Sequence, residues 1–519
     1  MLPLRARALV GGRVVAAGLE STRSLSAPNL LSSLAALGGA VYLVGFVVAS
    51  GFRLVYPYPL EIIEGASLSV VRHLLHGQPA YGPPTLDFVP LVYGPLYFWV
   101  AALFASVLGA DFLALRLVSL LASLGSAAFI YALVRREVGS RPLGLVAAGI
   151  FVGSTPFAIG TLDLGRVDAL GLFFVLGALY LMRSADFSRR AIWLSAASGA
   201  LAGLAIVTKQ TQAAVAVALL VYAMRWPRQR LAPYAVGLAV VLGIVLLVVG
   251  LQSGGWAWFY LVDLPRRHHL QDQYLLNFWP SDILPRFTLP LALGPMFLVA
   301  RAATRDTRAV VFYALALVSL LGTAWVARLN LLASYNVLAP AFAILAIMFG
   351  LGVGAFLELL ERAPRVRGYL LALCLGQLVI LGYNPRLSVP YRSDGWAGDR
   401  LVARIGALPG RVFAPDFGEF AARAGKGDQP YTAGPMELVG GFGGGMTPLG
   451  EQYVGQLNAA LRQHQYDYVL LEPQSNAFYL KGAVEGSGYV DTGPLFPAGD
   501  QFYLWKTALT PDAHLYVLR

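Results

Sequence analysis

Tyr56-Pro57-Tyr58-Pro59-Leu60-Glu61-Ile62-Ile63-Glu64-Gly65 is the stretch on which the reading of this chain turns. It leaves an apolar run that ends near Phe52, and the chain does not re-enter hydrocarbon cleanly until Phe112. From Glu61 to Leu75 the pattern predicts an amphipathic helix that stops before Gly77. A spacing of three then places Glu61 and Glu64 on one face of its first turn, where the helix dipole favours negative charge. Helix capping alone accounts for acids at that position; chemistry at a membrane surface is the other reading.

Outward from this stretch the composition decides the class. The chain has 519 residues, 57% of them hydrophobic and 13% charged, with a mean hydropathy of +0.63. That much apolar surface identifies a polytopic membrane protein. The net charge of +11 comes from short arginine clusters between apolar spans, the positive-inside pattern, and so argues against a nucleic-acid partner. The single cysteine, Cys374, excludes an internal disulfide and a Cys-based zinc site. Residues 1–29, with Arg5, Arg7 and Arg13, read as a cytoplasmic tail rather than a cleaved signal.

Spans are expected at Leu30–Phe52, Phe112–Val134, Pro142–Ile159, a return to Arg183, a hairpin from Ala191 to Met224 around Thr208-Lys209-Gln210-Thr211, and Tyr234–Leu251. Four more end at Arg301, Arg328, Arg362 and Tyr383. The total is about eleven, with basic clusters alternating to the inside. Tyr93–Leu108 is short, Pro-broken and aromatic, which suits an interfacial helix. The expected layout is a transmembrane domain over 30–383, including an outer loop over 53–113, and an extracytoplasmic soluble domain over 384–519. Strands at Arg411-Val412-Phe413-Ala414 and Tyr466–Leu471 and a helix over Leu449–Gln463 make the latter an α/β or α+β module. Gly440–Gly445 lacks a following Lys-Ser/Thr and is no phosphate loop.

Sorted by predicted side, the outer face collects Glu61, Glu64, Asp163, Arg166, Asp168, Lys209, Arg266, Arg267, His268, His269 and Arg328. Ionisable groups at this depth are expensive and mark function. Lys209 is the only lysine of four in the membrane half; it either snorkels or contacts phosphate. Arg166 pairs with Asp168 or binds substrate, and Arg266 and Arg267 attract lipid headgroups or a substrate phosphate. His268-His269, and the pair His73 and His76, lack zinc-motif spacing.

Several pieces in order carry a resemblance. They are Glu61-Ile62-Ile63-Glu64-Gly65, Tyr93-Gly94-Pro95-Leu96-Tyr97, Arg135-Arg136-Glu137-Val138-Gly139, Arg166-Val167-Asp168-Ala169-Leu170, Gly203-Leu204-Ala205 before Thr208-Lys209, and Tyr335-Asn336 before Pro340. Over roughly Leu30–Leu360 the chain resembles the GT-C superfamily of membrane glycosyltransferases, in particular relatives of the protein O-mannosyltransferases and lipid A aminoarabinose transferases. The resemblance implies a polyprenyl-phosphate-linked sugar donor, an acceptor that is a protein, lipid or polysaccharide, and a plasma-membrane location. It also implies an acidic base in the first outer loop. Many relatives carry adjacent Asp-Glu where this chain separates Glu61 from Glu64 by two residues; Glu64, thirteen residues before Gly77, is the first choice. Tyr335, Arg328, Lys209, Arg266, Arg267 and His268 are expected near the donor phosphate or sugar, with Asp163, Arg166 and Asp168 beside them. No cofactor is certain; some relatives hold a divalent cation, for which Glu61, Glu64 and Asp163 supply oxygens. One base and a single displacement predict inversion at the anomeric carbon. The alternative from another class is a transporter or flippase of a lipid-linked or anionic substrate, which calls for paired repeats with broken helices; no internal repeat is visible.

Overall fold

The computed structural model describes residues 27–331, 333–360, 363–472, 478–495 and 513–519; the cytoplasmic-tail reading of the N-terminus falls outside them. Helix α1 (Ala27–Leu54) leads into the first loop. The next helix, α2 (Ile62–Leu75), starts where Glu61, in extended backbone, accepts a hydrogen bond from the Ile63 amide at 2.9 Å. It is followed by α3 (Leu96–Leu108) and α4 (Phe112–Val138), the latter capped by Asp111 and ended by Gly139 in the left-handed region. Next come α5 (Arg141–Gly153), α6 (Val167–Ala185), α7 (Ala191–Thr208), α8 (Ala213–Ala223) and α9 (Ala232–Ser253). The helices Leu284–Ala303, Thr307–Arg328, Ala339–Leu359 and Pro364–Ile380 complete the bundle.

The expected eleven segments are all helical, but the number long enough to cross is smaller. Among the described residues eight helices are long and apolar enough to span a membrane, or nine if the bent pair Arg365–Ile380 and Pro385–Ala407 counts as one. The reason is length. At 1.5 Å per residue, α5 and α8 reach only about 20 and 17 Å against a hydrocarbon core of about 30 Å. A 3₁₀ turn at Thr155–Ala158 ends α5, and another at Gln210–Gln212 separates α7 from α8. These broken ends leave polar backbone and side chains inside the bundle, on the side where the carboxylates lie.

Helix Ala339–Leu359 is buried through its hydrophobic window and forms the axis of the bundle, packing on Leu284–Ala303, α4 and α5. Helices α7 and α9 approach so closely that a Cβ on Gly199 would collide with the Tyr234 carbonyl, and one on Gly237 with that of Ala196. Small residues at such a seam let helix backbones meet. Gly199→Val is therefore expected to destabilise the fold by about 1–3 kcal/mol, read as a lower thermal midpoint in detergent; an unchanged midpoint contradicts the close seam. At one end of the bundle the arginine clusters are built into structure. Arg183 donates to both carboxylate oxygens of Glu137 (2.7 and 2.9 Å) and to Asp186 (2.6 Å), and Asp186 also pairs with Arg230. Cys374 is a free, buried thiol.

The last part of the chain folds around a four-stranded sheet in the order β1-β2-β4-β3. Strand β1 (Val412–Phe413) runs parallel to β2 (Tyr468–Leu471); β4 (His514–Leu518) is antiparallel both to β2 and to β3 (Tyr489–Pro494). Helices Arg392–Ala407 and Pro448–Arg462 flank it. This module is clamped to the first loop. Arg72 of α2 donates to both oxygens of Glu419 (2.6 and 3.0 Å), the Tyr58 hydroxyl donates to Asp399 (2.6 Å), and the Tyr58 ring stacks on Phe420 at 5.0 Å.

Candidate functional site

Two carboxylates three residues apart meet opposite fates. Glu64 is fully buried on the inner face of α2. Its Oε1 accepts from Arg116 Nε (2.9 Å) and the Gly165 amide (2.7 Å), and its Oε2 from Arg116 Nη2 (2.7 Å) and the Leu60 amide (2.8 Å). An ionised carboxylate has about four lone-pair sites, and here all are taken by protein. Arg116 spends its remaining donors on the carbonyls of Arg53, Tyr56 and Tyr58. The pair therefore bolts the first loop to α4. Nearby, Arg53 donates to Asp163 (2.6 Å) and to the Ser388 carbonyl (2.8 Å), which ties α1 to the loop before α6 and to the C-terminal part.

Glu61 is held by fewer groups. Its Oε2 caps the Ile63 amide, and its Oε1 takes Arg166 Nη1 at 2.8 Å, which among the described residues leaves one lone-pair site on each oxygen. Arg166 also reaches Asp168 through Nε (3.2 Å). The Asp168 Oδ1 accepts from Lys209 Nζ (2.6 Å) and Asn336 Nδ2 (2.9 Å). Four separate regions thus supply one continuous chain of charge: the cap of α2, the start of α6, the end of α7 and the turn before Ala339. Lys209 is placed by the break between α7 and α8, where the helix stops at Thr208. Burial raises the Glu61 carboxyl above its ordinary value, against the pull of Arg166. Burial works against the Arg166 charge, but Glu61 and then Asp168 outweigh it, so the guanidinium is held charged.

Other expected residues take different places. Arg328 pairs with Asp282 (3.0 Å) and lies over the rings of Tyr274 (4.1 Å) and Tyr335 (4.7 Å); its charge is satisfied within the protein. Tyr335 is exposed, and its neighbour Asn336 is the one that joins the chain of charge. Arg266 and Arg267 are exposed and, among the described residues, have no ion pair. Five residues before Arg266, the Leu261 carbonyl accepts from the side-chain amide of Gln210 (3.4 Å), which also donates to the Val92 carbonyl (2.8 Å). His268 Nε2 lies 2.8 Å from Glu437 of the C-terminal module, and the backbone of His269 bonds to Phe442 at 3.0 Å. The carboxylate loop and the Arg266-Arg267 segment therefore share one end of the molecule, both in contact with the same module. His73 stacks on Phe88 at 3.7 Å, and among the described residues no three His, Cys, Asp or Glu side chains gather as a metal site.

Sequence reasoning missed Arg116, Asn336 and Glu437. Arg116 carried a signal, since an arginine inside an apolar helix demands a partner. Asn336 stood beside a residue already chosen. Glu437 had none.

Residues 90–251 match the sequence model of the dolichyl-phosphate-mannose-protein mannosyltransferases. No curated protein matches the chain in sequence. Among solved structures, ArnT from Cupriavidus metallidurans in the apo state superposes with a TM-score of 0.59 at 14% identity, over 94% of this chain and 98% of that one. The same protein bound to undecaprenyl phosphate gives a TM-score of 0.59 at 14% identity, over 93% and 98%. The apo oligosaccharyltransferase of Archaeoglobus fulgidus gives 0.54 at 11% identity, over 91% of this chain and 75% of that one.

Proposed function

This chain has the GT-C fold of membrane glycosyltransferases, and from that premise we propose that it moves a sugar from a polyprenyl-phosphate donor to an acceptor hydroxyl at the Glu61–Arg166–Asp168–Lys209 cluster. The observation that carries the reading is that continuous, buried chain of charge with carboxylate lone pairs left open at one end. A matching fold bound to undecaprenyl phosphate supports the carrier.

Glu61, rather than Glu64, is the base in this proposal. It has acceptor capacity to spare, whereas every lone pair of Glu64 is used in holding the loop. The acceptor oxygen attacks the anomeric carbon while its proton passes to Glu61; the bond from that carbon to the phosphate oxygen breaks, and polyprenyl phosphate leaves. Arg266 and Arg267, exposed and without an ion pair among the described residues, are assigned the leaving phosphate in this proposal. Lys209 and Arg166 set the local field, and Arg166 keeps the Glu61 carboxylate oriented. The site faces away from the cytoplasm in a plasma membrane, with the N-terminus cytoplasmic, residues 30–383 forming a transmembrane domain that includes the outer loop 53–113, and residues 384–519 outside the membrane.

A single displacement inverts the sugar. Incubating the purified protein with a polyprenyl-phosphate sugar and assigning the anomeric configuration of the product tests this; retention excludes the one-base mechanism. The pH profile offers an independent check. Glu61 must be ionised to take the proton, and burial raises its pKa, so the rate is expected to climb with pH through a value above the ordinary glutamate range near 4.3. An acid limb at or below that value contradicts the assignment.

A further inference from the structure

The carboxyl of Glu437 has no part in the scheme above. It sits on the short helix Ala433–Leu438 of the C-terminal module, its side chain 8% exposed. One oxygen meets His268; among the described residues the other has no hydrogen-bond partner, yet it is not sealed from solvent. Burying a carboxylate without filling its acceptor sites is costly, and burial raises the Glu437 carboxyl while His268 opposes the shift. The position is built with care. Tyr431 packs on Gly65 of α2, Gly434 on Val89, and His268 stacks on Phe442 at 5.0 Å. The module is thereby laid across the first loop at the level of Glu61.

Tyr93 lies in the first loop, two residues before the cap of α3. Its ring is within electrostatic reach of Arg166, Asp168, Glu437 and Glu61. The backbone beneath it is fixed from both sides: Tyr81 donates to the Tyr93 carbonyl (2.5 Å), and Gly94 lies so close to the Val207 carbonyl that no side chain fits there. Among the described residues the Tyr93 hydroxyl makes no hydrogen bond. A rigidly mounted phenol and a buried carboxylate with an open oxygen, both beside the chain of charge, are complementary to a ring rich in hydroxyl groups. The phenol can donate or accept, and the carboxylate accepts.

Resting on the proposed function, we infer that Glu437 and the Tyr93 hydroxyl form a subsite that binds the hydroxyl groups of the sugar ring on the donor, so that the C-terminal module supplies part of the donor site. The carrier phosphate and the prenyl chain lie outside this subsite and depend on other groups.

The test uses the full chain in nanodiscs and two isosteric substitutions, Glu437→Gln and Tyr93→Phe. The probes are undecaprenyl phosphate, bare or carrying a hexose or a pentose. Each substitution is expected to weaken binding of the preferred loaded carrier by about tenfold, the scale of one hydrogen bond to a charged group, and to leave the bare carrier within about twofold. The thermal midpoint of each variant is expected to stay that of the unsubstituted protein. Equal weakening for both carriers, no weakening for either, or an unsubstituted protein that binds loaded and bare carrier alike overturns the subsite. An unsubstituted protein that fails to bind even the bare carrier contradicts the proposed function itself, so the two failures are distinguishable.

Discussion

Glu61→Gln is expected to slow sugar transfer by about 10²- to 10⁴-fold, the usual contribution of a positioned general base, while the protein stays folded and retains its carrier. The amide oxygen can still accept from Arg166 or from the Ile63 amide, so the cap of α2 is largely kept. What is lost is the ability to take a proton. Glu64→Gln supplies the contrast. There the substituted amide places an NH₂ against an Arg116 donor and a backbone amide, that of Gly165 or that of Leu60, so the loss falls on stability. Single-turnover rates and thermal midpoints, measured side by side, separate the two. If Glu64→Gln abolishes transfer in a protein of normal stability while Glu61→Gln turns over normally, the roles assigned to the two acids are reversed.

Arg116→Ala is expected to have the largest structural effect of any single substitution in the first loop. Removing one partner of a buried ion pair leaves the other charge uncompensated, at a cost of about 3–5 kcal/mol. Three backbone carbonyls also lose a donor, although that of Arg53 keeps the Tyr56 amide. Since whole domains are stable by only about 5–15 kcal/mol, the variant is expected to lose its cooperative thermal transition or to be recovered in poor yield. The double variant Glu64→Leu with Arg116→Met removes both charges and is expected to regain part of the loss, because no lone buried charge remains. A normal midpoint for Arg116→Ala contradicts the bolt between loop and α4.

These two expectations mark where the sequence was legible. Long apolar runs closed by arginine clusters follow from the bilayer's thickness and surface potential, so the helices at Phe112–Val138 or Thr307–Arg328 could be read directly. The strand at Tyr468–Leu471 followed from the alternating run Tyr466–Leu471. Helix α5 was harder, because a hydropathy window does not register that a 3₁₀ turn ends the helix while the apolar run continues. The site was legible as a set of residues on one side. Which acid is open and which is locked was not, because that depends on Arg116, 52 positions beyond Glu64, and on a Gly165 amide that no side-chain pattern announces. Arg328 shows the opposite limit: its partners Asp282, Tyr274 and Tyr335 are apparent only once their helices pack. Glu437 belongs to a different module and meets His268 through folding alone.

The central claim is that this protein breaks the bond between a sugar and its lipid carrier. Its most direct test is to reconstitute the protein into liposomes with a polyprenyl-phosphate carrier whose sugar is radiolabelled, add a hydroxyl acceptor, and follow the label. The account predicts that label leaves the carrier for the acceptor, that bare polyprenyl phosphate accumulates in equal amount, and that Glu61→Gln stops both. Intact, still-glycosylated carrier appearing in the opposite leaflet with no bare carrier formed would contradict it and identify a transporter.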